Sequence, residues 1–76
     1  MVTIEVFVQK DCGYCTETEE KINKLKEKGK LKCPVKFVRL EEGNEKLFDK
    51  KNVNSTPTIF VDGKESSFNE MVKKCK

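Results

Sequence analysis

Histidine is absent from this sequence. Its absence excludes a Cys–His ion pair as the activator of a nucleophile, and with it every mixed Cys/His zinc site. Arginine is nearly absent: all but one of the 16 basic residues are lysine, and the exception is Arg39. A single guanidinium among scattered lysines makes a poor phosphate-reading face, so no nucleic-acid partner is expected. Long hydrophobic runs are missing too. None approaches the ~18 residues of a membrane span, and Met1 leads straight into a strand pattern without a targeting segment. No membrane partner is expected, and the expected compartment is cytoplasmic. No repeat, linker or low-complexity segment interrupts the chain.

What remains is a chain of 76 residues, enough for one domain (1–76) with a small core. It is 36% hydrophobic and 38% charged, with a net charge of +3. The apolar residues fall into periodic segments, which argues against disorder. Lysines alternate with glutamates along the predicted helices, and this reads as a solvated surface laced with salt bridges.

"VTIEVFV", residues 2–8, is rich in β-branched and aromatic residues. Val2, Ile4, Val6 and Val8 alternate with Thr3, Glu5 and Phe7. Phe7 on the second face predicts a central strand covered on both sides. Gly13 to Lys28 reads as a helix with Cys15, Ile22 and Leu25 near one face. Glutamates load its beginning and lysines its end, as the helix macrodipole favours, and Gly29 is the expected stop. "PVKFVRL" then gives a second strand. Two strands joined by one helix form a βαβ unit, so they are parallel and joined by a right-handed crossover. A short helix around Asn44 to Lys51 buries Leu47 and Phe48. Ile59 to Val61 form a third strand, Asp62-Gly63 a hairpin turn, and Lys64 to Ser66 a fourth strand. Phe68, Met71, Val72 and Cys75 fall on one face of a last helix. The order is β-α-β-α-β-β-α, an α/β fold.

Four cysteines are present. Cys12 and Cys15 form a CxxC at the junction of the first strand and first helix. A thiol at Cys12 lies among the unpaired N–H groups of the first turn, where the positive end of the helix dipole favours a thiolate. Lys10 is the nearest cation and adds to this effect, while Asp11 and the glutamates oppose it. Together they predict a thiol that ionises more readily than an ordinary cysteine. Cys15 lies almost one turn further on and can resolve a mixed disulfide. Gly13 adds no bulk beside the sulfur, and Tyr14 offers a flat apolar face with a hydroxyl. The rival readings are a structural zinc or iron–sulfur module, a purely structural Cys12–Cys15 bridge, and a redox-inactive interaction domain. A zinc site using Cys12, Cys15, Cys33 and Cys75 would lack the usual second close pair. Cys75 reads as a buried small hydrophobe and Cys33, just before a strand, as an exposed thiol. A Cys33–Cys75 disulfide is the alternative. Thr56-Pro57 precedes the third strand. A proline there marks a turn and can hold an edge open for an extended partner; spacing alone does not demand a cis bond.

"IEVFVQKDCGYC" together with "STPTIFVDGK" resembles the glutaredoxins of the thioredoxin superfamily, over nearly the full length. The resemblance implies a thioredoxin-like fold: a four-stranded mixed sheet with three helices, the third strand antiparallel to the first two. It implies a dithiol disulfide reductase in which Cys12 attacks and Cys15 resolves. It also implies that Pro57 is cis and packs against the dithiol, that the backbone of Thr56 pairs with the bound thiol peptide, and that Tyr14 flanks it. Gln9 stands where the family usually has lysine, with Lys10 displaced by one. Ser66, Ser67 and Phe68 stand near the place of a Gly-Gly pair that grips glutathione. The expected reductant is therefore either glutathione or a thioredoxin-reductase-type flavoenzyme. No bound cofactor is expected, the partners are disulfide-containing proteins, and a monomer suffices.

Overall fold

The computed structural model describes residues 2–76. It contains β1 (Ile4–Val8), α1 (Gly13–Glu27), β2 (Val35–Arg39), a 3-10 turn (Leu40–Glu42), α2 (Glu45–Lys50), β3 (Thr58–Val61), β4 (Lys64–Ser66) and α3 (Phe68–Lys74). The expected order is present, and the short 3-10 turn is the one addition.

The strands form one sheet in the order β2-β1-β3-β4. β1 pairs parallel with β2, from Ile4 opposite Val35 to Val8 opposite Arg39. β3 runs antiparallel to β1, and β4 antiparallel to β3. One further link extends the ladder past Ile4: the Asp62 N–H donates to the Thr3 carbonyl, and the Thr3 N–H donates to Asp62 Oδ1, both at 2.9 Å. Asp62 and Gly63 both have positive φ (51° and 83°), the signature of the tight hairpin that Asp-Gly favours.

β1 is covered on both faces, as Phe7 predicts. Ile4, Val6 and Val8 join Ile22 of α1, Ile59 and Val61 of β3 and Met71 of α3 in the larger core. Phe7 points the other way and joins Val38, Phe48 and Phe60 under α2. Its ring meets those of Phe48 and Phe60 edge-on, with centroids 5.0 and 5.2 Å away. Such pairs add about 0.5–1.5 kcal/mol each beyond the area they bury. α1 and α3 therefore lie on one side of the sheet and α2 on the other.

α1 ends as its sequence predicts, one residue early. Lys28 is the C-cap and Gly29 adopts φ +70°. The Lys30 N–H donates to the Leu25 carbonyl (2.9 Å) and the Gly29 N–H to that of Lys26 (3.0 Å), which satisfies the last carbonyls in a Schellman motif. α3 starts with a capping box: the Glu70 N–H donates to Ser67 Oγ, and the Ser67 N–H to Glu70 Oε1.

The reading of Cys33 and Cys75 needs correction. Cys75 is buried as expected, at 2% exposure, but it is not a free thiol, and Cys33 is buried rather than exposed. The two form a disulfide with Cα atoms 5.3 Å apart. The Lys32 N–H donates to the Cys75 carbonyl at 2.7 Å, which fastens the segment before β2 to the end of α3. Tertiary contact brings the two cysteines together; their local patterns carry no trace of it.

Candidate active site

Cys12 is the N-cap of α1. Its backbone is extended (φ −120°, ψ 104°), and its sulfur accepts the Cys15 N–H at 3.1 Å. The sulfur thus does what the oxygen of a capping Ser or Asp does elsewhere. No carboxylate lies in the first turn of the helix. The positive pole of the dipole therefore acts on Cys12 without a competing anion from that turn.

Cys15 is nearly fully buried while Cys12 is half-buried. The two are joined as a disulfide, with Cα atoms 5.2 Å apart. One sulfur of the pair is thus open to a partner and the other is held behind it.

Thr56 and Pro57 reach the dithiol from the other side, 44 residues along the chain. Their peptide bond is cis. The Thr56 hydroxyl donates to Cys12 Sγ at 3.6 Å, and the Thr56 carbonyl oxygen lies 3.7 Å from the same sulfur. In the reduced protein these groups can solvate a thiolate and accept a thiol proton respectively. The Thr58 hydroxyl closes the turn by donating to the Ser55 carbonyl at 2.6 Å. Register explains the meeting: Thr58 pairs with Phe7, so the turn before β3 sits beside the loop after β1.

Of the remaining candidates, Tyr14 is 76% exposed, an outlying apolar face beside the dithiol. Gly13 is the first residue of α1, and a Cβ there meets nothing within 4 Å. Glycine is thus not required at that position by packing. The side chain of Lys10 is exposed; its backbone N–H donates to Glu41 Oε1 at 3.1 Å. Asp11, between Lys10 and Cys12, has φ +57°. The sequence reading overlooked both features. Asp tolerates that left-handed conformation better than most residues, which is the one local signal available. Glu41 is 31 residues from its partner and carries no local signal.

The two disulfides lie at opposite ends of the sheet. Val8 and Thr58 mark the end bearing Cys12, while Cys33 and Cys75 sit beyond the start of β2. The four cysteines therefore do not share one metal ion, and among the described residues no three His, Cys, Asp or Glu side chains converge as a metal site. No helix among them is long and apolar enough to cross a membrane.

A family model described as "Thioredoxin domain" matches residues 2–74. Searches of the curated proteins and of the solved structures return no match.

Proposed function

The chain belongs to the thioredoxin-domain family, and from that premise we propose that it is a thiol–disulfide oxidoreductase working through Cys12 and Cys15. The observation that carries this reading is the setting of Cys12 Sγ: half-exposed at a helix N-cap, with the Cys15 N–H and the Thr56 hydroxyl as donors and the Cys15 sulfur as covalent partner. A buried structural pair has no use for donors aimed at one accessible sulfur.

In the reduced protein the Cys12 thiolate attacks one sulfur of a substrate disulfide. A Cys12–substrate bond forms, and the other substrate sulfur leaves as a thiolate and takes up a proton. Cys15, deprotonated in turn, attacks Cys12 Sγ. The Cys12–Cys15 bond forms and the second substrate thiol is released, so two electrons have passed to the substrate. The residues around Cys12 assist by position. The donors to its sulfur favour it as the attacking thiolate, and burial keeps Cys15 from outside disulfides. Tyr14, Gly13 and the Thr56-Pro57 backbone frame the sulfur where a bound peptide would lie, with Lys10 at the rim. The partners in this reading are disulfide-containing proteins, and no bound cofactor takes part.

For the reductant we favour a thioredoxin-reductase-type flavoenzyme over glutathione. At the start of α3 the Ser67 and Glu70 N–H groups are already used in the capping box, and the Glu70 carboxylate occupies the same place. A γ-glutamyl carboxylate approaching there meets like charge and engaged donors.

The test is insulin disulfide reduction driven by dithiothreitol. Wild type is active, Cys12→Ser is inactive, and Cys15→Ser accumulates a mixed disulfide visible by mass spectrometry. Equal inactivity of wild type and Cys12→Ser sinks the oxidoreductase reading. For the reductant, oxidised protein is offered NADPH with thioredoxin reductase, or glutathione with glutathione reductase. Fast NADPH consumption in the first arm alone is expected; the reverse pattern restores glutathione.

A further inference from the structure

The surface between α1 and α3 has a charge pattern that the sequence does not disclose. Lys21, Lys24, Leu25 and Lys28 of α1 face Phe68 of α3 across an open cleft of about 210 Å³. A second cleft, of about 450 Å³, continues from Leu25 past Gly29 and Lys32 to Val72 and Lys76. Leu25 lines both, so the two clefts adjoin at its side chain and are taken together as a groove. Leu25, Phe68 and Val72, all half-buried, give it an apolar floor. Six lysines line it and no aspartate or glutamate does.

The expectation of a surface laced with salt bridges fails here. Among the described residues the one ion pair is Arg39–Glu19, which ties α1 to β2. The groove lysines have no carboxylate within ion-pair reach, although glutamates are interleaved with them in sequence. Glu17 and Glu20 stand one turn before Lys21 and Lys24 on α1, and neither lines the groove. Lys21 Nζ lies 5.8 Å from the centre of the Phe68 ring, so positive charge stands over the apolar floor itself. Six like charges around a low-dielectric trough repel one another, and an anionic occupant relieves that repulsion.

We propose that this groove docks an acidic amphipathic segment of a partner protein, with apolar side chains over Leu25 and Phe68 and carboxylates against the lysines. The floor selects a protein over a polyanion. Nucleic-acid recognition favours the flat fork of arginine and several stacking aromatics, and the groove has no arginine and one aromatic. An amphipathic helix laid in a groove uses both features present, the apolar trough and the charged rims. The placement is also apt. Lys21 follows Cys15 by six residues on α1, about 9 Å along the axis. Phe68 lies just past Ser66, which pairs with Ile59, two residues from Pro57. The groove thus opens near the dithiol and runs away from it. A partner seated there can present its own disulfide or thiols to Cys12, and this last clause alone rests on the oxidoreductase reading.

The test uses the full chain, oxidised, and a synthetic helical peptide carrying Leu at i, i+4 and i+7 with Glu at the flanking positions. Titration followed by amide chemical shifts is expected to give saturable changes centred on Lys21, Leu25, Lys28, Phe68 and Val72. Affinity falls about tenfold or more at ~0.5 M salt, and to a similar degree in the triple variant K21Q/K24Q/K28Q. That variant keeps its circular dichroism spectrum and its dithiothreitol-driven insulin reduction within about twofold of wild type, as rim charges act mainly on association. Absence of saturable shifts overturns the proposal. So does tighter binding of oligothymidylate or of phosphatidylglycerol vesicles at the same residues. If the peptide binds as described but the wild type reduces no disulfide, the docking surface stands and the oxidoreductase reading falls.

Discussion

Thr56 shows how much one side chain adds at the site. Its carbonyl belongs to the backbone and survives any substitution, but its hydroxyl is a separate donor to Cys12 Sγ, 3.6 Å away. Thr56→Val keeps the β-branched shape and removes that donor. A hydrogen bond of ordinary net strength is worth about 0.5–1.5 kcal/mol, which converts to about a two- to thirteenfold loss in the rate of Cys12 alkylation near neutral pH. The sign follows from which form the bond favours: the hydroxyl donates to the thiolate, so its loss favours the thiol and moves the midpoint of the pH–alkylation profile upward. An unchanged profile in iodoacetamide kinetics assigns the hydroxyl no part in activation. The sequence brought Thr56 into view only through its neighbour Pro57 and a family resemblance. The contact itself spans 44 residues, and no local pattern encodes it.

α1 is the element on which the site depends, and most of it was legible in the sequence. Acid-to-base polarity and Gly29 marked its length, and the burial of Cys15 and Ile22 matches the predicted face. Cys12 as the cap was legible as a position; its sulfur as the capping acceptor was not, because cysteine is not among the usual capping residues. A prediction belongs to this scale. Gly13 is the first helical residue, its added Cβ is unobstructed, and the preceding residue is already extended. Proline suits that position, where its fixed φ is helical and its missing N–H has no intrahelical partner. Gly13→Pro is therefore expected to stabilise the protein by about 0.5–1 kcal/mol, with insulin reduction retained. Urea denaturation measures the first and the turbidity assay the second; a loss of stability shows that the loop after Asp11 cannot accept the ring. The short turn at Leu40–Glu42 was missed although Gly43 follows it. Its closure depends on Asn44 Nδ2 donating to the Arg39 carbonyl at 2.7 Å, a side-chain choice that composition does not fix.

At the scale of the whole molecule, the parallel pairing of β1 with β2 and the two-sided burial of β1 followed from crossover rules and hydrophobic pattern, while the antiparallel third strand followed from the family resemblance alone. The pairing of Cys33 with Cys75 followed from neither. Helical spacing says that Cys75 faces inward, and it is silent on what stands opposite. Four cysteines admit three pairings, and only the packed fold selects one. The bridge joins residues 42 apart and is buried among apolar side chains. Closing a loop of that length restricts the unfolded chain by about 4 kcal/mol in the entropic account. Cys33→Ser/Cys75→Ser is expected to lower Tm by more than ~10 °C while leaving the chemistry at Cys12 intact. In the wild type a mild reductant opens Cys12–Cys15 first, and Cys33–Cys75 opens only with denaturant. Alkylation mass spectrometry reads both steps, and simultaneous opening contradicts the assignment.

The same bridge divides the chain mechanically. Residues 34–74 lie within a covalent ring, and Cys12 and Cys15 lie outside it, on an arm whose one internal closure is their own short bridge. Tension applied from either side of the bridge bypasses the ring and can draw out only the arm, at about 3.3–3.6 Å per residue released. The Cys12–Cys15 pair is thus on the part of the molecule that can be pulled apart, and the Thr56-Pro57 turn that faces it is on the part that cannot.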